Sequence, residues 1–225
     1  MSKKALFKTI IIAVVLAVLV GLGFILGKNN ADNSQNNQAV GENSVYSNVF
    51  DLRKDFNIKL AEHVALTSEA MRVSYDEHDS SIAVIDELDK NSQQLAGIIG
   101  EFYGDEAEAS FLKLWQDQVT FFINYTVSAK NNDTEGKEQA LSDLENYSRE
   151  AAEFLAGLNS NLSADSLKPL LTEHRDLMIT SINEYMEAKY VEALDKESKA
   201  YEQAGKVADA ISDGIVKQFP DEFNE

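Results

Sequence analysis

The sequence predicts an all-α protein: a six-helix antiparallel bundle made of three helix-pair repeats of about 55 residues, preceded by one N-terminal transmembrane helix. Three observations lead there. The 225 residues contain only two prolines, with long stretches free of turn residues. Residues 9–27 carry no charge at all. Beyond them, marks recur at intervals of 55 and 56 residues.

The chain opens with a basic stub, residues 1–8, holding Lys3, Lys4 and Lys8. Thr9 to Gly27 would span roughly 28 Å as a helix, about one hydrocarbon core. Lysines ahead of such a run place the N-terminus in the cytoplasm. The run is longer than the apolar part of a signal peptide, and no A-x-A-like site follows, so it reads as an uncleaved anchor. Its G-x-x-x-G, Gly23 to Gly27, is ordinary for a membrane helix. Residues 28–48, "KNNADNSQNNQAVGENSVYSN", are Asn-rich and lack apolar periodicity, which predicts a flexible linker about 25 Å from end to end. Residues 49–225 then form an acidic, extracytoplasmic helical-repeat domain on a single-pass membrane protein.

Within that domain, Leu60, Trp115 and Leu171 fall into one column. Glu62, Asp117 and Glu173 align two residues on, then His63, Gln118 and His174, then Leu66, Phe121 and Leu177. Asn91, Tyr147 and Tyr201 repeat 56 and 54 apart, and Tyr103 and Asn159 mark one junction 56 apart. Such a period indicates supersecondary units that bury their apolar faces on one another.

Each unit reads as two helices. The first runs from about Val49 to Tyr75 on a stripe of Leu52, Phe56, Leu60, His63, Leu66 and Ala70. "DEHDS", residues 76–80, breaks it, and Ile82, Ile85, Leu88, Leu95 and Ile99 mark the second. After Tyr103-Gly104, Asp105 and Glu108 suggest a capping box for the third helix, which carries Phe111, Trp115, Phe121, Phe122 and Tyr125 as core. "KNNDTEGK" turns the chain into the fourth, lined by Leu141, Leu144, Tyr147, Ala151, Phe154 and Leu155. "NSNLSAD" ends that helix, and Pro169 is expected in the first turn of the fifth, where an amide has no helical partner. Pro220 stops the sixth. Short connections make neighbours antiparallel. With only three units, a closed bundle is expected over a short solenoid.

The Glu-His pairs, together with "YGDEA" (residues 103–107) and "QFPDEF" (residues 218–223), resemble an uncharacterised family of secreted or membrane-anchored helical repeat proteins of Gram-positive bacteria. The resemblance covers residues 49–223. It implies a helical-repeat fold at the cell surface and brings no activity with it. The middle unit departs by having Asp117-Gln118 in place of Glu-His.

Composition removes several function classes. With Lys3, Lys4 and Lys8 set aside, the remainder carries 17 Lys and Arg against 38 Asp and Glu, a formal charge of −21. Such a surface repels nucleic acid. There is no cysteine, so no disulfide, thiol nucleophile or cysteine metal site exists. No G-x-S-x-G, phosphate-cradling glycine loop or H-E-x-x-H occurs. Di-iron bundles need Glu-x-x-His, and here Glu and His are adjacent, about 100° apart around the helix. No catalytic residue and no resident cofactor is therefore expected.

His63 and His174 stand within the apolar stripe. They can meet in the core with Gln118 and hold a divalent metal or polar ligand, with Glu62, Asp117 or Glu173 behind them. Equally they can serve packing and register, since repetition shows only that the fold wants a polar group there. His78, among three carboxylates in "YDEHDS", is the third metal-ligand candidate, although such clusters mostly cap helices. The function expected is a non-catalytic, membrane-anchored binding module that engages a protein partner, a small ligand or a second copy of itself. The alternative is a metal-handling protein using the histidines.

Overall fold

The computed structural model of the protein describes residues 49–223. The expected stub (1–8), anchor (9–27) and linker (28–48) lie outside the described residues. Six helices follow: α1 (Val49–Asp76), α2 (Ser81–Tyr103), α3 (Asp105–Lys130), α4 (Thr134–Leu158), α5 (Ala164–Met186) and α6 (Tyr190–Gln218), then a 3₁₀ turn at Pro220–Phe223. Among the described residues there is no strand, and no helix is long and apolar enough to cross a membrane.

The odd-numbered helices end alike. Glu77, Asn132 and Ala188 adopt left-handed conformations, with φ of 56°, 56° and 59°. In each case the next amide bonds back five residues: His78 to Val73, Asp133 to Ser128 and Lys189 to Glu184, at 2.9–3.0 Å. This is the Schellman closure, which satisfies carbonyls that the helix end leaves free. The three left-handed residues are 55 and 56 apart, so the repeat extends into the turns.

Two sequence expectations fail at helix starts. The capping box of α3 does not form, because a single residue, Gly104, separates α2 from α3. The chain reverses there at φ 81°, ψ 174°, a conformation open essentially to glycine, and Asp105 is already inside the helix. Asp105, Glu106 and Glu108 instead line the first turn, where the helix dipole favours negative charge. Pro169 is not in the first turn of α5, since that helix begins five residues earlier at Ala164. Proline removes the bond to the Asp165 carbonyl, but Asp165 and Pro169 are both exposed, so water takes the amide's place.

Consecutive helices pack against one another, and α6 returns to pack on α1. The ring is closed, with α1 also touching α3 and α5 across its middle. Burial keeps phase around it. Phe56, Phe111 and Leu167 are buried, as are Leu60, Trp115 and Leu171, then Thr67, Phe122 and Met178. The even helices repeat at 56: Leu88, Leu144 and Ala200, then Leu95, Ala151 and Val207, then Ile99, Leu155 and Ile211, all buried. Ala200, Ala204 and Ala208 give α6 a smooth stripe, which lets it approach its neighbours closely where α3 contributes bulky Trp115 and Phe122.

Ion pairs stitch the ring where it closes. Arg53 bonds Asp213, and Arg72 bonds Glu197, both between α1 and α6. The Arg72–Glu197 pair is largely buried, so removing one partner would strand a charge.

A polar site at the centre of the bundle

One turn along from Leu60, Trp115 and Leu171, the three odd-numbered helices each turn a polar side chain inward. His63, Gln118 and His174 are 2%, 2% and 7% exposed. They line one cavity of about 20 Å³, walled otherwise by Leu60, Val64, Trp115, Leu171, Ala204 and Val207. That is room for about one water molecule.

Asn91 on α2 fixes His63. Its amide nitrogen donates to the Lys59 carbonyl at 3.0 Å and to Glu62 Oε2 at 3.1 Å. With both protons committed, its oxygen faces His63 Nδ1 at 3.2 Å and accepts the ring proton there. Nε2 then carries the lone pair, 3.3 Å from Gln118 Oε1. Two acceptors cannot bond each other, so beside a neutral ring with this tautomer the Gln118 amide is assigned the other way over, NH₂ toward Nε2. Burial is the main force holding His63 neutral, pushing its pKa down to about 4 against smaller opposing bonds from Asn91 and Gln118.

His174 is similarly held to about 4, by burial first and then by the nearby His63 ring, with the Ala200 carbonyl acting in the opposite direction. Its Nδ1 is buried and has no hydrogen-bond partner. The reason lies in α6. Gln203, in phase with Asn91 through Tyr147 at 56 and 56, donates to the Leu170 carbonyl as Asn91 does to Lys59. Its oxygen, however, accepts from Lys206 Nζ at 2.9 Å and leaves the imidazole alone.

Gln203 therefore takes the place in this column that sequence spacing gives to Tyr201. Tyr201 is only half-buried. Tyr147 fills the column in α4, with its hydroxyl buried and unpartnered and burial raising its pKa. Its ring meets the edge of Trp115 at 6.2 Å. Trp115 stacks on Phe111 at 4.4 Å and lies 5.8 Å from the His63 ring, with its own indole nitrogen unpartnered.

The remaining candidates stay outside the cavity. Glu62 and Glu173 are exposed, and Asp117 is half-exposed and paired with Lys113. Glu62 bonds Lys59 at 2.9 Å, and that bond is the main cause of its lowered pKa. It reaches His63 only through Asn91. His78 is exposed in the α1–α2 turn, its Nδ1 accepting from the Ser80 amide at 3.2 Å. It lies about 20 Å from His63 along the axis of α1. His78 thus does not join His63 and His174 at the cavity, because it belongs to a turn and not to the inward stripe. Among the described residues, no group of three or more His, Asp or Glu side chains is placed to hold a metal. Sequence reasoning misses Asn91, Gln203 and Ala200 as site residues, although the 56-residue interval already links Asn91 to Gln203.

Two further features lie on the surface. A groove of about 180 Å³ runs between α3 and α4, lined by Leu114, Phe121 and Tyr147 with Asp117, Asp143 and Glu150. At the end of the bundle opposite Val49, Tyr75, Tyr185 and Tyr190 form an edge-to-face ladder, with Arg72 and Lys130 over its rings. Tyr185 donates to Asp76 at 2.7 Å, and that bond pushes its pKa up to about 12. Beside the ladder, Tyr190, Val191 and Leu194 are 56%, 80% and 58% exposed.

Compared with family models, with curated proteins and with solved structures, the chain matches none of them.

Proposed function

We propose that this chain is a non-catalytic binding module, an acidic six-helix bundle held outside the cytoplasmic membrane by the apolar segment at residues 9–27 and the polar linker at 28–48. The observation that carries the reading is that uncharged segment, led by Lys3, Lys4 and Lys8 and followed by an acidic remainder. The reading takes the three helix pairs as repeats of one unit, as the phased burial and turns support. Its non-catalytic part draws on the sequence, which holds no cysteine, no G-x-S-x-G, no phosphate-cradling glycine loop and no H-E-x-x-H.

The contact surface we assign is the ladder end, where Tyr190, Val191 and Leu194 face solvent together. Aromatic and aliphatic side chains gathered at one tip are the composition of a protein-contact centre. This end is opposite Val49, where the described residues begin.

The absence of cysteine makes the test simple. A single thiol introduced by Val191→Cys should react with a membrane-impermeant maleimide in intact cells, while one introduced by Ser2→Cys should react only after lysis. Protection of the thiol at position 191, or labelling of the one at position 2 before lysis, would overturn the topology. Crosslinking from the Val191→Cys thiol then tests the contact, with a discrete adduct expected and its absence counting against the tip.

A further inference from the structure

We propose that His63 and His174 form a two-imidazole site for a singly charged cation, Cu(I), with the Gln118 side chain as an auxiliary donor. The proposal is independent of the membrane topology and of the contact surface at the tip.

His63 and His174 line the same water-sized cavity from α1 and α5, and Gln118 reaches it from α3. Imidazoles that bind metals nearly always donate their other N–H to a carbonyl or carboxylate, which fixes the tautomer. His63 does so, giving Nδ1–H to Asn91 Oδ1, while Asn91 in turn donates to the Glu62 carboxylate. The lone pair is thereby left on Nε2, 3.3 Å from Gln118 Oε1. His174 has the Ala200 carbonyl beside its ring and a buried nitrogen without a partner. An unpartnered buried nitrogen is costly to the fold, and the packing retains one here.

The donor set selects the ion. All groups in the cavity are neutral, and the walls are Leu60, Val64, Trp115 and Leu171. Zinc takes four ligands, and a double charge among apolar walls without a carboxylate is heavily penalised. Copper suits imidazole. In its d¹⁰ monovalent state it is content with two nearly linear nitrogen donors and brings half the charge.

Trp115 supplies the readout. It is the only tryptophan and stands 5.8 Å from the His63 ring. The full-length chain in a mild detergent, kept anaerobic, would be titrated with Cu(I) while indole emission is followed, with a colorimetric Cu(I) chelator as competitor. One equivalent should quench the emission saturably. His63→Gln and His174→Gln should each weaken binding by more than the roughly 100-fold expected for losing an orienting partner alone. His78→Gln should change nothing. Both Gln replacements copy the residue that the fold already accepts at Gln118, and circular dichroism checks that they fold. Gln118→His adds a third imidazole to the donor set and should tighten binding.

Quenching that is not saturable, or that survives in both histidine variants, overturns the proposal. So does Zn(II) binding at the same concentrations with the same dependence on the two histidines. Should a histidine variant fail to fold, Gln118→His decides alone, and an unchanged affinity overturns the site.

Discussion

Single side chains at the centre of the bundle set its response to acid. His63 and His174 have pKa values near 4 in the folded chain and about 6.5 when unfolded. As pH falls below 6.5 the unfolded chain takes up protons that the folded chain refuses. The stability due to neutral burial is therefore complete above pH 6.5 and is lost on the way down to 4. From pH 7 to 5 the metal-free chain should lose about 2 kcal/mol per histidine. Urea midpoints at the two pH values measure this, and a His63→Gln/His174→Gln double variant should be nearly flat over the interval. An unchanged slope would place the acid sensitivity elsewhere. Tyr147 makes a second case. Its hydroxyl is buried and unpartnered, so Tyr147→Phe should raise stability by about 1 kcal/mol in the same assay. A loss would mean that the hydroxyl has a partner, such as a water. At this scale the sequence is legible where period and polarity coincide, as at His63, Gln118 and His174. It is not legible where a carbonyl is the partner. That Gln203 and not Tyr201 continues the Asn91 column follows from the Leu170 carbonyl, which no side-chain pattern records.

Helices are legible to within a few residues because their stripes are long and their turns polar. Their ends are harder. The expected capping box assumes a loop before α3, whereas one glycine does the whole reversal. A first-turn place for Pro169 follows from the bond that a helix interior costs it, but on an exposed face water replaces that bond. Turn chemistry yields a paired prediction. Ala188 holds a left-handed conformation that glycine adopts freely, so Ala188→Gly should stabilise by about 0.5–1 kcal/mol. Gly104, at φ 81° and ψ 174°, has the opposite preference, and Gly104→Ala should cost about 1–3 kcal/mol. Thermal midpoints of the two variants should move in opposite directions. Movement in the same direction would show that neighbouring contacts, and not backbone conformation, govern these turns.

At the level of the molecule, sequence phase predicts three units and a closed arrangement, and the packing of α6 on α1 bears out the closure. What the phase does not reveal is asymmetry. The units differ in bulk, with Trp115 and Phe122 in the middle one set against the alanine stripe of the last, so the three are not interchangeable.

Closure has a consequence for connectivity. The chain enters at Val49 and leaves at Gln218 on the same end, where Tyr103 bonds Gln218 and Arg53 bonds Asp213. A ring has no preferred starting point. Splicing residue 223 to residue 49 through a short glycine-serine linker and cutting at the exposed Asp79 would make α2 the first helix and α1 the last. Every interhelical contact keeps its partner, and only the order of synthesis changes. Such a permutant should keep its helical dichroism and melt within a few degrees of the parent. Newly made chains of the natural order hold only the part of α1 that meets α6 uncovered until α6 emerges, whereas the permutant would make those two helices in succession and leave the α2 surface that meets α1 waiting instead. Its refolding rate should stay near that of the parent, because α6–α1 becomes a local hairpin while α1–α2 becomes the contact between chain ends.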